Sequence, residues 1–177
     1  DDIVEILIDP GQIGDRYYQF VVNAYGSQWE TARSARGTKH DPRWRADWQS
    51  AAHIAPDYWS MEVAIPYYNF GALSNLKQDW SVNLCRQSHT PYAYSSAAPL
   101  GAFHDPGVFC NLTGLRGPFD RYHIAVESDF LRPEPTDFAP GATLCVPVVN
   151  VGDRPRTVDI DQFVAGEQRA TQSQTVT

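Results

Sequence analysis

Apolar and polar residues alternate with a period of two over much of the chain, which is the spacing of strands. Ile3, Val4, Ile6, Leu7 and Ile8 form an aliphatic run that Asp9-Pro10-Gly11 interrupts. Tyr17-Tyr18-Gln19-Phe20-Val21-Val22 begins a second run, which ends at Asn23-Ala24-Tyr25-Gly26. Two paired strands are expected. Val4, Ile6 and Ile8 then face one way and Ile3, Glu5, Leu7 and Asp9 the other. On the partner, Tyr18, Phe20, Val22 and Ala24 share a face, opposite Gln19, Val21 and Asn23. Pairing the wholly apolar faces in the core leaves Glu5 beside Gln19 and Asn23 on a mixed face. A carboxylate and two amides there offer partners for hydroxyls.

Further along, residues 10 to 16 are a loop by their Pro and Gly content. Ser27 to Arg45 is polar with little periodicity and reads as a long surface excursion, in which Trp29 and Trp44 either anchor the loop or serve a ligand. Trp48 to Ile54 and Trp59 to Ile65 alternate across the turn Ala55-Pro56-Asp57-Tyr58 and predict a hairpin, with Met61, Val63 and Ile65 on its apolar face. Tyr67 to Leu73 predicts a short helical turn. Trp80 to Gln87 is the next strand, with Val82 and Leu84 inward and Ser81, Asn83 and Cys85 on the mixed face. Glu5, Gln19, Asn23, Glu62 and Asn83 are thereby expected along one sheet surface; outward faces of antiparallel strands are polar because they meet water, but a row of amides and carboxylates without Lys points to a site. Ser88 to Pro106 reads as a second long loop, and Phe109 to Leu115 as a closing strand.

After Gly117-Pro118 the pattern changes. Tyr122 to Val126, Ala142 to Asn150 and Thr157 to Val164 are candidate strands, Arg132-Pro133-Glu134-Pro135 is a stiff extended linker, and the polar tail from Gly166 is expected to make few stable contacts. The expected organisation is one β-domain over residues 1–118, then a linker and partial second β-domain over 119–177.

At 177 residues, 42% hydrophobic and 12% aromatic, the chain can build a packed core. A net charge of -7 argues against nucleic acid or an anionic membrane surface as the main partner, and no apolar run is long enough to span a bilayer. Cys85, Cys110 and Cys145 are widely spaced, without zinc-site spacing, and are expected to be small buried thiols. Asp1, Asp2, Asp9, Asp15 and Asp105 near turns leave structural calcium open, though no EF-hand spacing supports it. No cofactor is otherwise expected. Glu5 with Glu62 could be cast as a glycosidase pair, yet no nucleophile elbow or Ser/His/Asp signature accompanies them, so no catalytic residue is assigned.

The pattern Asp-Asp-x-Val-Glu-Ile-x-Ile-Asp, followed by Tyr-Tyr-Gln-Phe-x-Val-Asn-Ala, resembles the family 9 carbohydrate-binding modules of xylanases. So do Trp59-Ser60-Met61-Glu62-Val63-Ala64-Ile65-Pro66, Trp80-Ser81-Val82-Asn83-Leu84-Cys85-Arg86 and Phe103-His104-Asp105-Pro106-Gly107-Val108-Phe109, over roughly residues 1 to 116. The resemblance implies an all-β, antiparallel, jelly-roll-like sandwich that is N-terminally incomplete, because strands of the module precede this motif in the family. The region after it looks like the first strands of an immunoglobulin-like sandwich.

The resemblance also implies a function: a non-catalytic module that holds a larger secreted or cell-surface hydrolase on a polysaccharide or oligosaccharide, outside the cell. Modules of this kind clamp a sugar between two tryptophans above a carboxylate, an arginine and amides. Carried over by position, the implied contacts are Glu5, Asn23 and Phe103, the last standing where the family has a stacking tryptophan; Gln19 and Asn83 join them from the mixed sheet face. The family's arginine two residues before Asn23 is Val21 here, and its glutamine two residues after Asn83 is Cys85. Those two replacements support a second expectation, a structural or interaction spacer whose sugar site has decayed.

Overall fold

The computed structural model describes residues 2–70, 79–99, 101–115, 123–126, 148–164 and 167–177. It is all-β, an antiparallel β-sandwich, and its described residues fall into two compact units that divide between residues 115 and 123.

The first unit is built on a seven-stranded sheet. Its strands are β1 (Ile3–Asp9), β2 (Tyr17–Asn23), β3 (Gln28–Ser34), β4 (Lys39–Asp41), β7 (Trp80–His89), β8 (Tyr92–Ser96) and β9 (Cys110–Leu112). The order is β4-β3-β2-β1-β7-β8, with β9 beside the other half of β7's outer edge. A separate hairpin joins β5 (Gln49–Ile54) to β6 (Trp59–Ala64). A 3-10 turn spans Tyr67–Phe70 and another Pro106–Val108.

In β1 and β2, Ile6 stands opposite Phe20 and Ile8 opposite Tyr18, as the two-residue period requires. This face carries an aromatic core. Phe20 meets Trp44, Trp48 and Phe70 edge-on at 5.8, 5.2 and 6.3 Å, and Phe70 meets Trp80 at 5.2 Å. Edge-to-face packing at these separations adds to the hydrophobic gain of burying the rings. Trp48 leads into β5 and also donates from its indole to Glu30, so it brings the hairpin onto this face.

Several expectations are corrected. Ser27 to Arg45 is not an irregular excursion, because β3 and β4 lie within it. Its periodicity was hidden because Trp29, Thr31 and Arg33 alternate with Glu30 and Ala32, so that both faces carry polar groups. Ser88 to Pro106 likewise contains the end of β7 and all of β8. Leu84 is 54% exposed, while Ser81, Asn83 and Cys85 are buried. The aromatic cover packs over β2 and the Trp80 end of β7 and leaves Leu84 bare, whereas Ala98, Phe103 and Phe109 close over the opposite face. Glu62 is exposed on β6 in the hairpin and so shares no sheet with Glu5.

In the second unit β10 (Ile124–Val126) pairs with β11 (Val148–Asn150), and β12 (Arg156–Val164) with β13 (Glu167–Val176). The polar tail is thus a full-length strand. Thr171 donates to Asp159's neighbour in the ladder, Asp161, at 2.6 Å, Ser173 donates to Asp159, and Asn150 donates to the Val176 carbonyl at 3.0 Å. Cross-strand polar pairs of this kind hold a strand that lacks apolar alternation. The 132–135 linker, residues 142–147 and Cys145 lie outside the described residues.

Candidate functional site

The face of the large sheet opposite the aromatic core carries the site. Pairing registers align its side chains in rows across the strands. One row reads Trp29, Val21, Glu5, Cys85, Ser96, and the next toward the strand ends reads Asn23, Ile3, Gln87, Tyr94. A third row, Thr31, Gln19, Leu7, Asn83, lies on the other side of Glu5.

Glu5 and Gln19 meet as the sequence predicts, and a third residue joins them. Arg33 Nε donates to Gln19 Oε1 at 2.6 Å, and Gln19 Nε2 donates to Glu5 Oε2 at 2.5 Å. The amide thus links a cation to an anion, with a charged partner at each end. Arg33 also donates to the Gly37 carbonyl at 3.2 Å, which fixes its fork against the β3–β4 turn. Val21 and Cys85 are the direct cross-strand neighbours of Glu5, so the guanidinium of this site comes from β3 and not from β2. No local pattern points to Arg33, because both faces of Gln28–Ser34 carry polar groups; the pairing of β2 with β3 brings it to Gln19.

The polar groups are buried, not solvated. Glu5 is 9% exposed and Gln19 4%. Burial lifts the Glu5 carboxyl above its ordinary value, against the Gln19 hydrogen bond and the Arg33 charge, which both pull it down. Burial also raises the Tyr17 phenol and lowers the His104 imidazole; their Oη and Nδ1 are hydrogen-bonded at 2.9 Å, a neutral pair closing one end of the site. Glu5 Oε1 carries no hydrogen bond among the described residues.

Aromatic side chains stand on both sides. Trp29 is 45% exposed and makes no ring contact among the described residues, so it does not anchor a loop. Trp44 does, buried against Tyr18 and Phe20. On the opposite side Tyr94, 46% exposed, meets Phe103 edge-on at 5.9 Å. Trp29 and Tyr94 are four strand spacings apart, roughly 19 Å between backbones.

Phe103 is half-buried on the cluster of Leu7, Tyr17, Cys85 and Phe109, with its ring edge toward Tyr94. Asn83 is fully buried: its amide donates to the Phe103 carbonyl and accepts from Ser96 Oγ and the Ala98 amide, at 3.3, 2.9 and 3.0 Å. It holds the covering loop in place. Asn23 Oδ1 accepts from the amides of Tyr25 and Ser27 at 3.0 and 2.8 Å, which shapes the β2–β3 turn.

Of the carboxylates considered for calcium, Asp1 lies outside the described residues. Asp9 caps the amides of Ile13 and Gly14, Asp105 caps Gly107 and pairs with Arg36, and Asp2 pairs with Arg86. Among the described residues no three His, Cys, Asp or Glu side chains gather as a metal site. Cys85 and Cys110 are free thiols, and no helix among the described residues is long and apolar enough to cross a membrane. No family model, curated protein or solved structure matches this chain.

Proposed function

We propose that the first unit is a non-catalytic carbohydrate-binding module of a larger secreted or cell-surface protein that acts on polysaccharide. Its main support is the Arg33-Gln19-Glu5 relay, set between the exposed rings of Trp29 and Tyr94 with one Glu5 oxygen left to accept. A pyranose offers an apolar C–H side for stacking and vicinal hydroxyls for a carboxylate, and the relay fixes that carboxylate before any ligand arrives. The polar groups that a sugar would meet are Glu5, Gln87 and Arg33, while Gln19, Asn23, Asn83 and Phe103 support them from behind or alongside.

The test is calorimetric titration with cello-, xylo- and manno-oligosaccharides. Glu5→Ala is expected to weaken binding by about 1–3 kcal/mol, the cost of stranding buried polar partners. Unchanged affinity in a folded Glu5→Ala protein would remove Glu5 from the site.

Acid should weaken binding as well. A ligand hydroxyl donates a stronger hydrogen bond to the carboxylate than to the neutral acid, so affinity falls as pH drops through the raised Glu5 value, sooner than for an ordinary glutamate at 4.5. Stability runs the other way. A carboxyl whose folded pKa is raised contributes stability that is present below its unfolded pKa and lost as pH rises through the folded one. Binding and melting measured across acid pH should therefore diverge, and Glu5→Gln should abolish the acid limb of binding. Affinity that stays flat to below pH 4.5 would contradict the assignment.

A second reading, a spacer with a decayed sugar site, draws on Val21 and Cys85, since these apolar side chains flank Glu5 on both sides. Flat titrations of the folded protein with all three sugar series would favour it.

A further inference from the structure

The opposite side of the same unit holds a groove of about 610 Å³ between the ends of β1 and β7 and the turn of the β5–β6 hairpin. This volume is within the range of small-ligand sites. Val4 and Met61 give it an apolar floor, and Ile54, Tyr25 and Tyr58 stand at its rim, 56%, 75% and 60% exposed. The two phenol groups and the Asp57 carboxylate carry no hydrogen bond or ion pair among the described residues. The other acid, Asp2, is already engaged: it accepts from the His89 amide at 2.8 Å and pairs with Arg86 at 3.6 Å. Tyr25 is held in place from the β2 side, because Asn23 Oδ1 accepts from its amide.

We propose that this groove is a second carbohydrate subsite, on the face away from Glu5, for a neutral or amino-sugar chain. Exposed phenol rings above an apolar floor suit the C–H faces of pyranose rings, and unengaged oxygen groups suit their hydroxyls. Charge decides among sugars. Arg86 is neutralised by Asp2, which leaves Asp57 as the uncompensated charge of the wall, so a uronate chain is repelled and a glucosamine ammonium is attracted. Two sugar-accepting faces on one module would let it bridge neighbouring chains or hold one chain more tightly through linked contacts.

The test takes the double variant Trp29→Ala/Glu5→Ala as background, so that the Glu5 face loses both a ring and its carboxylate, and the groove is read from its own tyrosine rings. Cellohexaose, a glucosamine hexamer and hexagalacturonate are each titrated, with NMR of the tyrosine rings. The expected result is ring shifts at Tyr25 and Tyr58 with the first two sugars, none with the uronate, and affinity lowered on the order of tenfold by Tyr58→Ala. Asp57→Asn should weaken the glucosamine hexamer more than cellohexaose. Both side chains are exposed, so circular dichroism should report an unchanged fold. Absence of ring shifts with every sugar, a preference for the uronate, or undiminished affinity in both variants would overturn the proposal. None of those results bears on the Glu5 face, which is read separately in the protein that retains Trp29 and Glu5.

Discussion

Gly37→Ala is expected to lower the stability of the first unit by about 2–5 kcal/mol, combining the cost of overpacking with that of forcing a side chain into left-handed backbone. Gly37 sits at φ +83, and a Cβ there would collide with the His104 carbonyl oxygen and come within 2.8 Å of Tyr17 Oη. Neither obstacle can yield freely. Tyr17 is fully buried and hydrogen-bonded to His104, and His104 lies in the loop that Asn83 secures through Phe103. The turn itself is under strain, since Ala35 and Arg36 also have positive φ, at 50 and 54. Their position is fixed by the Arg36 amide on the Asp15 carbonyl and by Arg33 on the Gly37 carbonyl. Gly14→Ala supplies the comparison. Its φ is +75 but nothing lies within 4 Å of a Cβ, so it should cost only the backbone term, about 1 kcal/mol. Chemical denaturation of the two variants separates the effects, and equal losses would mean that the contact with His104 and Tyr17 carries no weight. Sugar affinity should fall with Gly37→Ala alone, because the same turn positions Arg33.

How much of this was legible in the sequence depended on whether one face of a strand was apolar. β1, β2, the β5–β6 hairpin and β7 each show such a face, and with them came the adjacency of Glu5 and Gln19. β3 was not legible by the same rule. Its Trp29, Thr31 and Arg33 line the site and its Glu30 reaches the Trp48 indole, so alternation existed without a contrast in polarity. β13 failed for a related reason, being held by Thr and Ser donors to Asp161 and Asp159. Polarity also misled about depth. The mixed face was expected to be an outward one, but Ala98, Phe103 and Phe109 pack over it, and that covering depends on contacts far apart in sequence. Arg33 entered the site by the same route: register across β2 and β3 brings it to Gln19, and no local pattern encodes that register.

Asn83→Ala should be the second large effect, at about 2–4 kcal/mol, from buried partners stranded without a hydrogen bond and the small cavity left behind. Sequence position alone makes Asn83 a ligand contact, yet all of its described hydrogen bonds go to the protein, and it is fully buried. Its loss strands the buried Ala98 amide most severely, because a backbone donor there cannot turn to water. Ser96 Oγ retains Cys85 Sγ at 3.6 Å, a weaker partner. Asn83→Asp keeps the acceptor for Ser96 and Ala98 and loses only the donor to Phe103, at the added cost of a charge in a site without solvent. Sugar affinity distinguishes the roles. If Asn83 only secures the loop, Asn83→Ala should weaken binding through displacement of Phe103 and Tyr94, and raising the loop's order by lowering temperature should recover part of the affinity. If Asn83 touches the sugar, affinity should be lost to the same extent at every temperature at which the protein is folded. The geometry predicts the first outcome, with faster exchange at Ala98, since the amide that closes the site is held by the residue that the sequence would have placed in contact with the ligand.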